Sequence, residues 1–444
     1  MTSPAANGAS PGPVPVALVT YSVKPRGGVV HTLALAEALH RAGHPVRVVA
    51  LGDPAAGFFR AVQVPFTIIP APLTLPTLEE RVFANVDALV EGLVPLAAGY
   101  PILHTQDCIS AQAACRVRDA ACGSDLASAA GRAAAGQPPV VIRTVHHVDD
   151  FTTQSLIDCQ RRAILEPDRI LVVSKHWRDT LQREYGTAAE VVHNGVDAAR
   201  FQAADPALAS ALRRRAGAAR RPLILAVGGI EPRKGSDTLV EAIAAVRRSG
   251  RRPVLAVVGD HSFQDYRDYR ERVLSSLPHL DLRLGDDVVL LGTVADAELP
   301  AWYAAADVFA FPSTKEGWGL AVLEAMSAGL PVITSDLPVF REYLRPGRDA
   351  LMVPVDDAPA LAAALTAVLD DQRLASRLRS AGLAVCTRYS WDRSAAQHQA
   401  IYAAADRGVP NFAQSEPSLV NPAPWTGGWA RRDLHDEASA DSPG

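Results

Sequence analysis

The sequence predicts an α/β protein with two doubly wound parallel sheets. Two stretches, Val14 to Leu51 and Leu223 to Val258, each read as strand, glycine-containing loop, helix and strand. That order is the βαβ unit, whose ligands bind beyond the carboxyl ends of the strands. Length is the third observation, because 444 residues exceed what one hydrophobic core usually holds. We therefore expect two Rossmann-like domains.

Composition narrows the class of protein. Hydrophobic residues make up 48% of the chain and charged residues 21%, which is typical of a globular protein. A net charge of -4 gives no case for nucleic-acid binding. Residues 1–13 are rich in Pro, Gly, Ser and Ala, without the basic start or apolar core of a signal peptide. We expect them to be disordered and the protein to be cytoplasmic, with its five cysteines reduced.

The first βαβ unit supplies the first candidate ligand contacts. Val14 to Thr20 reads as a strand, residues 21–30 as a loop, and His31 to Ala42 as a helix. Gly27 and Gly28 lie where the strand leads into the helix, and a glycine pair there lets backbone approach a ligand. The pattern is not the dinucleotide fingerprint, so it gives little support for NAD binding. A plain tight turn is the alternative.

Two further strands with polar ends follow, Ile102 to Asp107 and Val140 to His147. Residues 122–138 between them are rich in Ala, Gly and Ser and are expected to be a mobile insertion. His146 ends the second strand, a position suited to chemistry, and His147 is its rival. A hydrogen-bonded structural histidine is the alternative.

An arginine-rich segment, residues 202–221, is predicted to join the two domains. Its arginines are Arg213, Arg214, Arg215, Arg220 and Arg221. Such a group could meet an anionic membrane surface. A solvated linker helix is the favoured interpretation.

The second βαβ unit places two cations beside a helix. Leu223 to Val227 reads as a strand, and Arg233 and Lys234 immediately precede a helix from Ser236 to Arg247. Fixed cations near a helix N-terminus would neutralise a diphosphate. A surface charge pair is the alternative.

The stretch Phe311 to Asp336 carries the most specific pattern. A Pro-Ser turn precedes a glycine-rich loop and a helix from Leu320 to Ala328, and a short strand follows. The loop residues Gly317, Trp318, Gly319 and Leu320 are candidate donor contacts. Glycines admit a close ligand, and the helix N-terminus favours an anion.

Two carboxylates, Glu316 and Glu324, frame that anion site. Carboxylates repel phosphate but accept hydrogen bonds from neutral hydroxyls. Phosphate between two polyols describes a nucleotide sugar. The alternative is a solvated helix face with ordinary glutamates.

The stretch resembles the signature of the retaining glycosyltransferases of family 4, which have the two-domain GT-B fold. That signature is two glutamates separated by seven residues, after a Pro-Ser turn and before a Gly-x-Pro-Val strand. The resemblance implies that Glu316 contacts the donor sugar, Glu324 the ribose, and His146 the sugar from the other domain. It also implies that Arg233 and Lys234 pair with the donor phosphates.

The same resemblance implies that Gly27 and Gly28 approach those phosphates. One departure is Gly229, where many members of the family carry an arginine. Arg233 must then carry more of the phosphate charge, or the donor lies slightly differently.

The resemblance implies a division of the chain. Residues 14–200, with a returning helix near 390–407, form the acceptor domain. Residues 201–389 form the nucleotide-sugar domain. Residues 408–444 are rich in Pro, Ser and Asp without periodicity, and we expect them to be a disordered tail.

The implied reaction moves a hexose from a UDP or GDP sugar to a hydroxyl of a small molecule, lipid or glycan, with retention of configuration. No Asp-x-Asp occurs, so we expect no metal and no cofactor besides the donor substrate. The alternatives are a sugar-nucleotide epimerase or phosphorylase of the same fold and a sugar-nucleotide-binding protein without turnover. Peripheral membrane contact is possible but not favoured.

Overall fold

The computed structural model describes residues 12–73, 75–122, 137–260 and 266–408. The expected N-terminal disorder, the expected mobile insertion and the expected tail lie outside this part of the chain, apart from their outermost residues. No helix among the described residues is long and apolar enough to cross a membrane.

The first half of the chain forms a seven-stranded parallel sheet, which we call the sheet of the first lobe. Its strands are β1 (Val16–Thr20), β2 (Val46–Gly52), β3 (Phe66–Pro70), β4 (Ile102–Thr105), β5 (Val140–Val145), β6 (Arg169–Val172) and β7 (Glu190–Val191). They are ordered β3-β2-β1-β4-β5-β6-β7. The helices are α1 (Gly27–Arg41), α2 (Leu78–Ala97), α3 (Cys108–Cys122), α4 (Gln154–Leu165) and α5 (Lys175–Tyr185).

The second half forms a six-stranded parallel sheet, the sheet of the second lobe, ordered β10-β9-β8-β11-β12-β13. Its strands are β8 (Leu223–Val227), β9 (Val254–Val258), β10 (Val288–Gly292), β11 (Val308–Phe311), β12 (Val332–Ser335) and β13 (Leu351–Val353). The remaining helices are α6 (Ala198–Gln202), α7 (Pro206–Arg215), α8 (Ser236–Arg248), α9 (Arg267–Ser276), α10 (Leu299–Ala305), α11 (Leu320–Ser327), α12 (Pro338–Arg341), α13 (Ala358–Asp370), α14 (Gln372–Cys386) and α15 (Trp391–Asp406).

The predicted α/β class is confirmed, and the strand order explains where the ligand crevices lie. In each sheet the order reverses between two central strands, β1 and β4 in the first and β8 and β11 in the second. Open parallel sheets bind ligands at this point, outside the carboxyl ends of the strands. The central strands, such as β1, β4, β8 and β11, are buried on both faces because helices cover both sides, which explains their nearly continuous hydrophobic sequences.

Helix α1 begins earlier than the sequence predicted. It starts at Gly27 rather than His31, so Gly27 and Gly28 form its first turn and not the end of a loop. Glycine disfavours a helix interior, which made this turn look like loop. Neither residue is in the left-handed region, so the early start costs no backbone strain.

The arginine-rich segment belongs to the second lobe and is not a solvated linker. Helix α7 buries Ala209 and Leu212 and packs against α10. Arg213 donates to the carbonyl of Ala305 at 2.7 Å and to Asp307 at 2.7 Å. Arg221 bonds Asp286 and Asp287, each at 2.6 Å. The expectation of a solvated linker helix was wrong, because three of the five arginines, Arg213, Arg215 and Arg221, pair with carboxylates far along the chain.

Helix α15 returns to the first lobe and packs against α1 over a row of buried histidines. The Trp391 and His31 rings meet with centroids 5.3 Å apart, and the His104 and His398 centroids are 5.4 Å apart. Neutral hydrogen bonds hold the row: His104 Nδ1 pairs with the hydroxyl of Tyr402 at 2.7 Å. Burial lowers the pKa of His31 and His104 well below the usual range and that of His398 to about 4.

This row makes stability depend on pH. Unfolded histidines titrate near pH ~6.5, whereas these three stay neutral in the fold. The unfolded state therefore takes up more protons as pH falls from about 6.5 towards 4, and the free energy of unfolding falls by up to ~1.4 kcal/mol per pH unit per histidine. We expect His398→Gln to lower this slope by the contribution of about one proton taken up on unfolding, measured by urea unfolding between pH 7.5 and 5. The exposed His40→Gln is the control; equal slopes for His398→Gln and wild type would contradict the assignment.

Candidate active site between the lobes

Glu316 lies at the centre of a charge cluster beyond the ends of β8 and β11. Its Oε1 lies 2.5 Å from Lys234 Nζ and 3.5 Å from Arg233 Nη1. The hydroxyl of Ser313 donates to the same oxygen at 3.0 Å. A second acid, Glu231, pairs with Arg233 Nε at 3.0 Å. The sequence-predicted glutamate and basic pair are thus in direct contact.

The cluster is self-neutralising. Burial opposes the charged form of Glu316, but Lys234 and Arg233 outweigh it and hold the pKa of the carboxyl below its usual range. Burial, and then repulsion by Arg233, lower the pKa of Lys234, while Glu316 opposes that shift. Two cations and two acids therefore balance in a water-poor site. An incoming diphosphate would have to compete with Glu316 and Glu231 for the cations.

Glycines bring the two loops of the cluster together. A Cβ on Gly235, at φ +61°, would lie 2.1 Å from the carbonyl oxygen of Pro312. The amide of Thr314 donates to the carbonyl of Arg233 at 2.9 Å. The 3₁₀ turn Pro232–Lys234 is thereby held against the turn that follows β11. Only residues without a Cβ allow this approach.

Glu324 lies on α11, away from the cations. Its carboxylate accepts from the hydroxyl of Tyr303 at 2.8 Å. Burial raises the pKa of this carboxyl above its usual range. Nearby, Arg200 and Asp296 form an ion pair at 2.8 Å. The two glutamates of the signature thus occupy different surroundings: Glu316 among charges, Glu324 beside a phenol.

The first lobe contributes His146 at the end of β5. Its Nε2 lies 3.2 Å from Gln106 Oε1, and its ring meets that of His31 edge-on, with centroids 4.6 Å apart. A Cβ on Gly28 would lie 3.7 Å from His146 Cδ2. Burial, then the charges of His147 and Arg143, lower the pKa of His146 to about 3, so it is neutral near pH 7.

The rival histidine has different contacts. His147 Nε2 pairs with Asp149 at 3.3 Å and is about one-third exposed, with 37% of its side chain accessible. The ring of His146 is therefore the one that faces the predicted phosphate glycines. Its role towards a sugar stays a prediction.

The two lobes touch around Glu316. A Cβ on Gly317 would lie 2.0 Å from the carbonyl oxygen of His146. Trp177 Nε1 donates to the carbonyl of Glu316 at 3.0 Å. The cleft is therefore closed, with Glu316 and His146 on opposite walls.

A carboxylate of the second lobe also caps a helix of the first. Glu342 accepts from the backbone amides of Lys175 and His176, at 2.9 and 2.8 Å, at the start of α5. His193 approaches the same carboxylate at 3.8 Å. This clasp satisfies two of the unpaired N–H groups of the helix and favours its partly positive end.

The glycine-rich loop departs from the simplest expectation in one respect. The ring of Trp318 is buried, 2% exposed, and stacks on His193 and Tyr343. Any contact between Trp318 and the donor is therefore limited to its main chain. Gly319 adopts φ +86° and precedes α11, so the helix N-terminus does point back to the loop, as predicted.

Several residues of the site were missed by sequence reasoning. They are Gln106, Trp177, Tyr303 and Glu342. Of these, only Gln106 could have been predicted from the sequence, because it is a polar residue at the carboxyl end of a strand. The rest depend on contacts across lobes or between helices. Among the described residues, no group of three or more His, Cys, Asp or Glu could hold a metal ion.

Solved structures share this architecture. Sucrose-phosphate synthase from Thermosynechococcus elongatus superposes with a TM-score of 0.71 at 23% identity, covering 89% of this chain and 100% of that one. The catalytic domain of starch synthase IV from Arabidopsis thaliana gives 0.68 at 17% identity, with 90% and 100% covered. These likenesses show the fold: two Rossmann-like domains facing a cleft, the GT-B class.

Sequence comparison gives the family. Residues 25–200 match the family described as "Glycosyltransferase Family 4", and residues 221–371 match "Glycosyl transferases group 1". A phosphatidyl-myo-inositol mannosyltransferase from Mycobacterium tuberculosis is 30% identical over 402 residues, 86% of this chain and 94% of that protein. The chain belongs to the group 1 glycosyltransferases of family 4. The predicted resemblance is confirmed.

A second relative is more similar over a shorter stretch. It is a GDP-mannose-dependent alpha-(1-6)-phosphatidylinositol monomannoside mannosyltransferase from the same species, 34% identical over 240 residues. The match covers 52% of this chain and 60% of that protein.

The contact at Gly317 can be tested by one methyl group. Gly317→Ala places a Cβ against the His146 carbonyl, so the lobes cannot close as they do here. We expect turnover to fall at least tenfold while binding of a nucleoside diphosphate to the second lobe changes little. The measurements are initial rates and calorimetric titration. Gly99→Ala, whose Cβ would meet only ordinary contacts, is the matched control. Wild-type turnover in Gly317→Ala would show that this closure is not needed.

Proposed function

We propose that this protein transfers a hexose from a nucleoside-diphosphate sugar to a hydroxyl acceptor, with retention of configuration. The observation that carries the proposal is the convergence of Lys234, Arg233 and Glu316 in a cleft whose opposite wall holds His146. The family of the chain supports the reaction class.

The cluster suits departure of a diphosphate. Breaking the bond between the sugar carbon and the phosphate oxygen leaves the electron pair on that oxygen. Arg233, Lys234 and the N-terminus of α11 would stabilise the growing charge, as fixed donors do in a dry site. The acceptor oxygen bonds to the same face of the sugar carbon, and its proton passes to the departing phosphate. Glu316, released from Lys234, would accept hydrogen bonds from the sugar.

Glu324 suits a different part of the donor. Among the described residues, its carboxylate accepts a hydrogen bond from the Tyr303 hydroxyl and forms no ion pair with the cations that contact Glu316. A carboxylate with spare lone pairs accepts hydroxyl hydrogens, as a ribose diol offers. We propose that it holds the ribose.

The substrates are proposed from the named relatives. One is called GDP-mannose-dependent, and the relatives matched over 86% of this chain are called phosphatidyl-myo-inositol mannosyltransferases. A third, from Streptomyces bingchenggensis, is called a D-inositol 3-phosphate glycosyltransferase. We propose GDP-mannose as the donor and an inositol-bearing phosphate as the acceptor.

The test has two stages. Thermal shifts with UDP, GDP and ADP sugars identify the donor, because a ligand stabilises the state it binds. Transfer is then measured with and without phosphatidylinositol or inositol phosphate. Product that requires an acceptor supports the proposal. Conversion of the donor without any acceptor would favour the epimerase alternative, and binding without product in every acceptor would favour the binding protein.

Exchanging Glu316 for Gln tests the divided role of the cluster. The amide keeps the size of the side chain but accepts more weakly from sugar hydroxyls and removes one charge beside Lys234. We expect turnover to fall by about 10²–10³, the range for losing one preorganised catalytic contact. Nucleoside diphosphate should bind as well or better, because the cations lose a competitor. A strong loss of diphosphate affinity with normal turnover would overturn this assignment.

We propose that the reaction needs no metal, because Arg233 and Lys234 supply the positive charge that a metal supplies elsewhere. Activity should survive EDTA treatment followed by gel filtration into metal-free buffer. Loss of activity that Mg²⁺ or Mn²⁺ restores would contradict this.

A further inference from the structure

Two buried side chains beside His146 have unmatched hydrogen-bonding groups of opposite kind. Gln106 is 3% exposed, and its amide nitrogen has no hydrogen-bond partner among the described residues. His31 is 1% exposed, and its Nε2 has none. A buried donor or acceptor without a hydrogen bond costs roughly 1–3 kcal/mol of stability, so such groups usually form a hydrogen bond with protein, water or a ligand.

The neighbouring bonds determine what each group can do. Gln106 Oε1 accepts from His146 Nε2, which leaves the amide NH₂ as a free donor on the same carbon. His31 Nδ1 donates to Asn194 Oδ1 at 2.9 Å, which leaves His31 Nε2 as a bare acceptor. Both groups border one imidazole, since the His31 and His146 rings are in edge contact.

Gly28 places no side chain against the edge of the His146 ring. A Cβ at Gly28 would meet His146 Cδ2 at 3.7 Å and His146 Nε2 at 3.9 Å, which are ordinary contact distances. A hydroxyl donates one hydrogen and accepts others, so it can serve an amide donor and an imidazole acceptor together.

We propose that Gln106 is a substrate-binding residue, whose amide NH₂ donates to one hydroxyl of the donor hexose while its carbonyl oxygen positions His146. The carbonyl fixes His146 with its hydrogen on Nε2, so that Nδ1 is the acceptor. His31, held by Asn194, closes the other side of the imidazole. The inference rests on the proposed function in one respect: it places the hexose of a nucleotide sugar beside His146.

The test compares Gln106→Met with wild type in binding. Met keeps the length of the side chain and removes both hydrogen-bonding groups. The ligands are GDP, GDP-mannose and the 2-, 3-, 4- and 6-deoxy analogues of GDP-mannose, titrated by calorimetry. Gln112→Met is the matched control, because Gln112 is also 3% exposed but bonds Glu166.

The expected result has two parts. Gln106→Met binds GDP like wild type and GDP-mannose about tenfold more weakly. One deoxy analogue binds wild type about tenfold more weakly than GDP-mannose, yet binds Gln106→Met as well as GDP-mannose does. That coincidence identifies the hydroxyl.

Other outcomes overturn the proposal. If each deoxy analogue loses the same affinity relative to GDP-mannose in Gln106→Met as in wild type, the amide of Gln106 does not bind a sugar hydroxyl. If GDP affinity falls equally, the effect is structural. Should Gln106→Met not fold, Gln106→Asn replaces it, because Asn withdraws the amide by about 1.5 Å, the length of one carbon–carbon bond. Gln106→Asn must then lose its discrimination against the same deoxy analogue. If the wild-type protein transfers no sugar, the proposed function is wrong. The binding comparisons do not depend on turnover, so they still test the role of Gln106.

Discussion

The close approach of the His146 carbonyl oxygen to Gly317 determines how the two walls of the cleft face each other. At 2.0 Å from the position of a Cβ, the carbonyl touches bare backbone next to Glu316. Trp177 and Glu342 then reinforce the arrangement with hydrogen bonds across the lobes. Glu316 and His146 belong to different lobes, so only this closed arrangement brings them to the same cleft.

Closure also explains why the charges of the cluster are paired internally. Taking Lys234 out of water without a partner would be costly, and Glu316 offsets that cost. Arg233 is about one-third exposed and pairs with Glu231 and Glu316. The closed cleft therefore leaves neither cation without a counter-charge.

The sequence predicted the sheets and much of the cleft for a definite reason. Loops at the carboxyl ends of β8 and β11 must meet, because those strands are neighbours where the order reverses, so Arg233, Lys234 and Glu316 could be placed together. The partner of Glu324 could not be predicted, because Tyr303 reaches it only through helix packing. The role of Glu342 could not be predicted, because its partners are backbone amides of the other lobe, and no residue pattern in the sequence indicates such a contact. The surroundings of Arg213 and Arg221 were predicted wrongly for the same reason. A local cluster of arginines does not indicate that carboxylates 94 and 65 positions away will pair with them.

Helix α15 has a consequence for how the chain is made. Its Trp391 lies against His31, although 391 - 31 = 360 positions separate them. Gly195, where the chain leaves the first lobe, lies directly beside Trp391, where it returns. The first lobe therefore cannot cover the outer face of α1 until the second lobe has left the ribosome. During that interval a row of imidazoles and apolar side chains is open to solvent and to other nascent chains. Emergence of α15, rather than collapse of the first sheet, completes the N-terminal half of this protein.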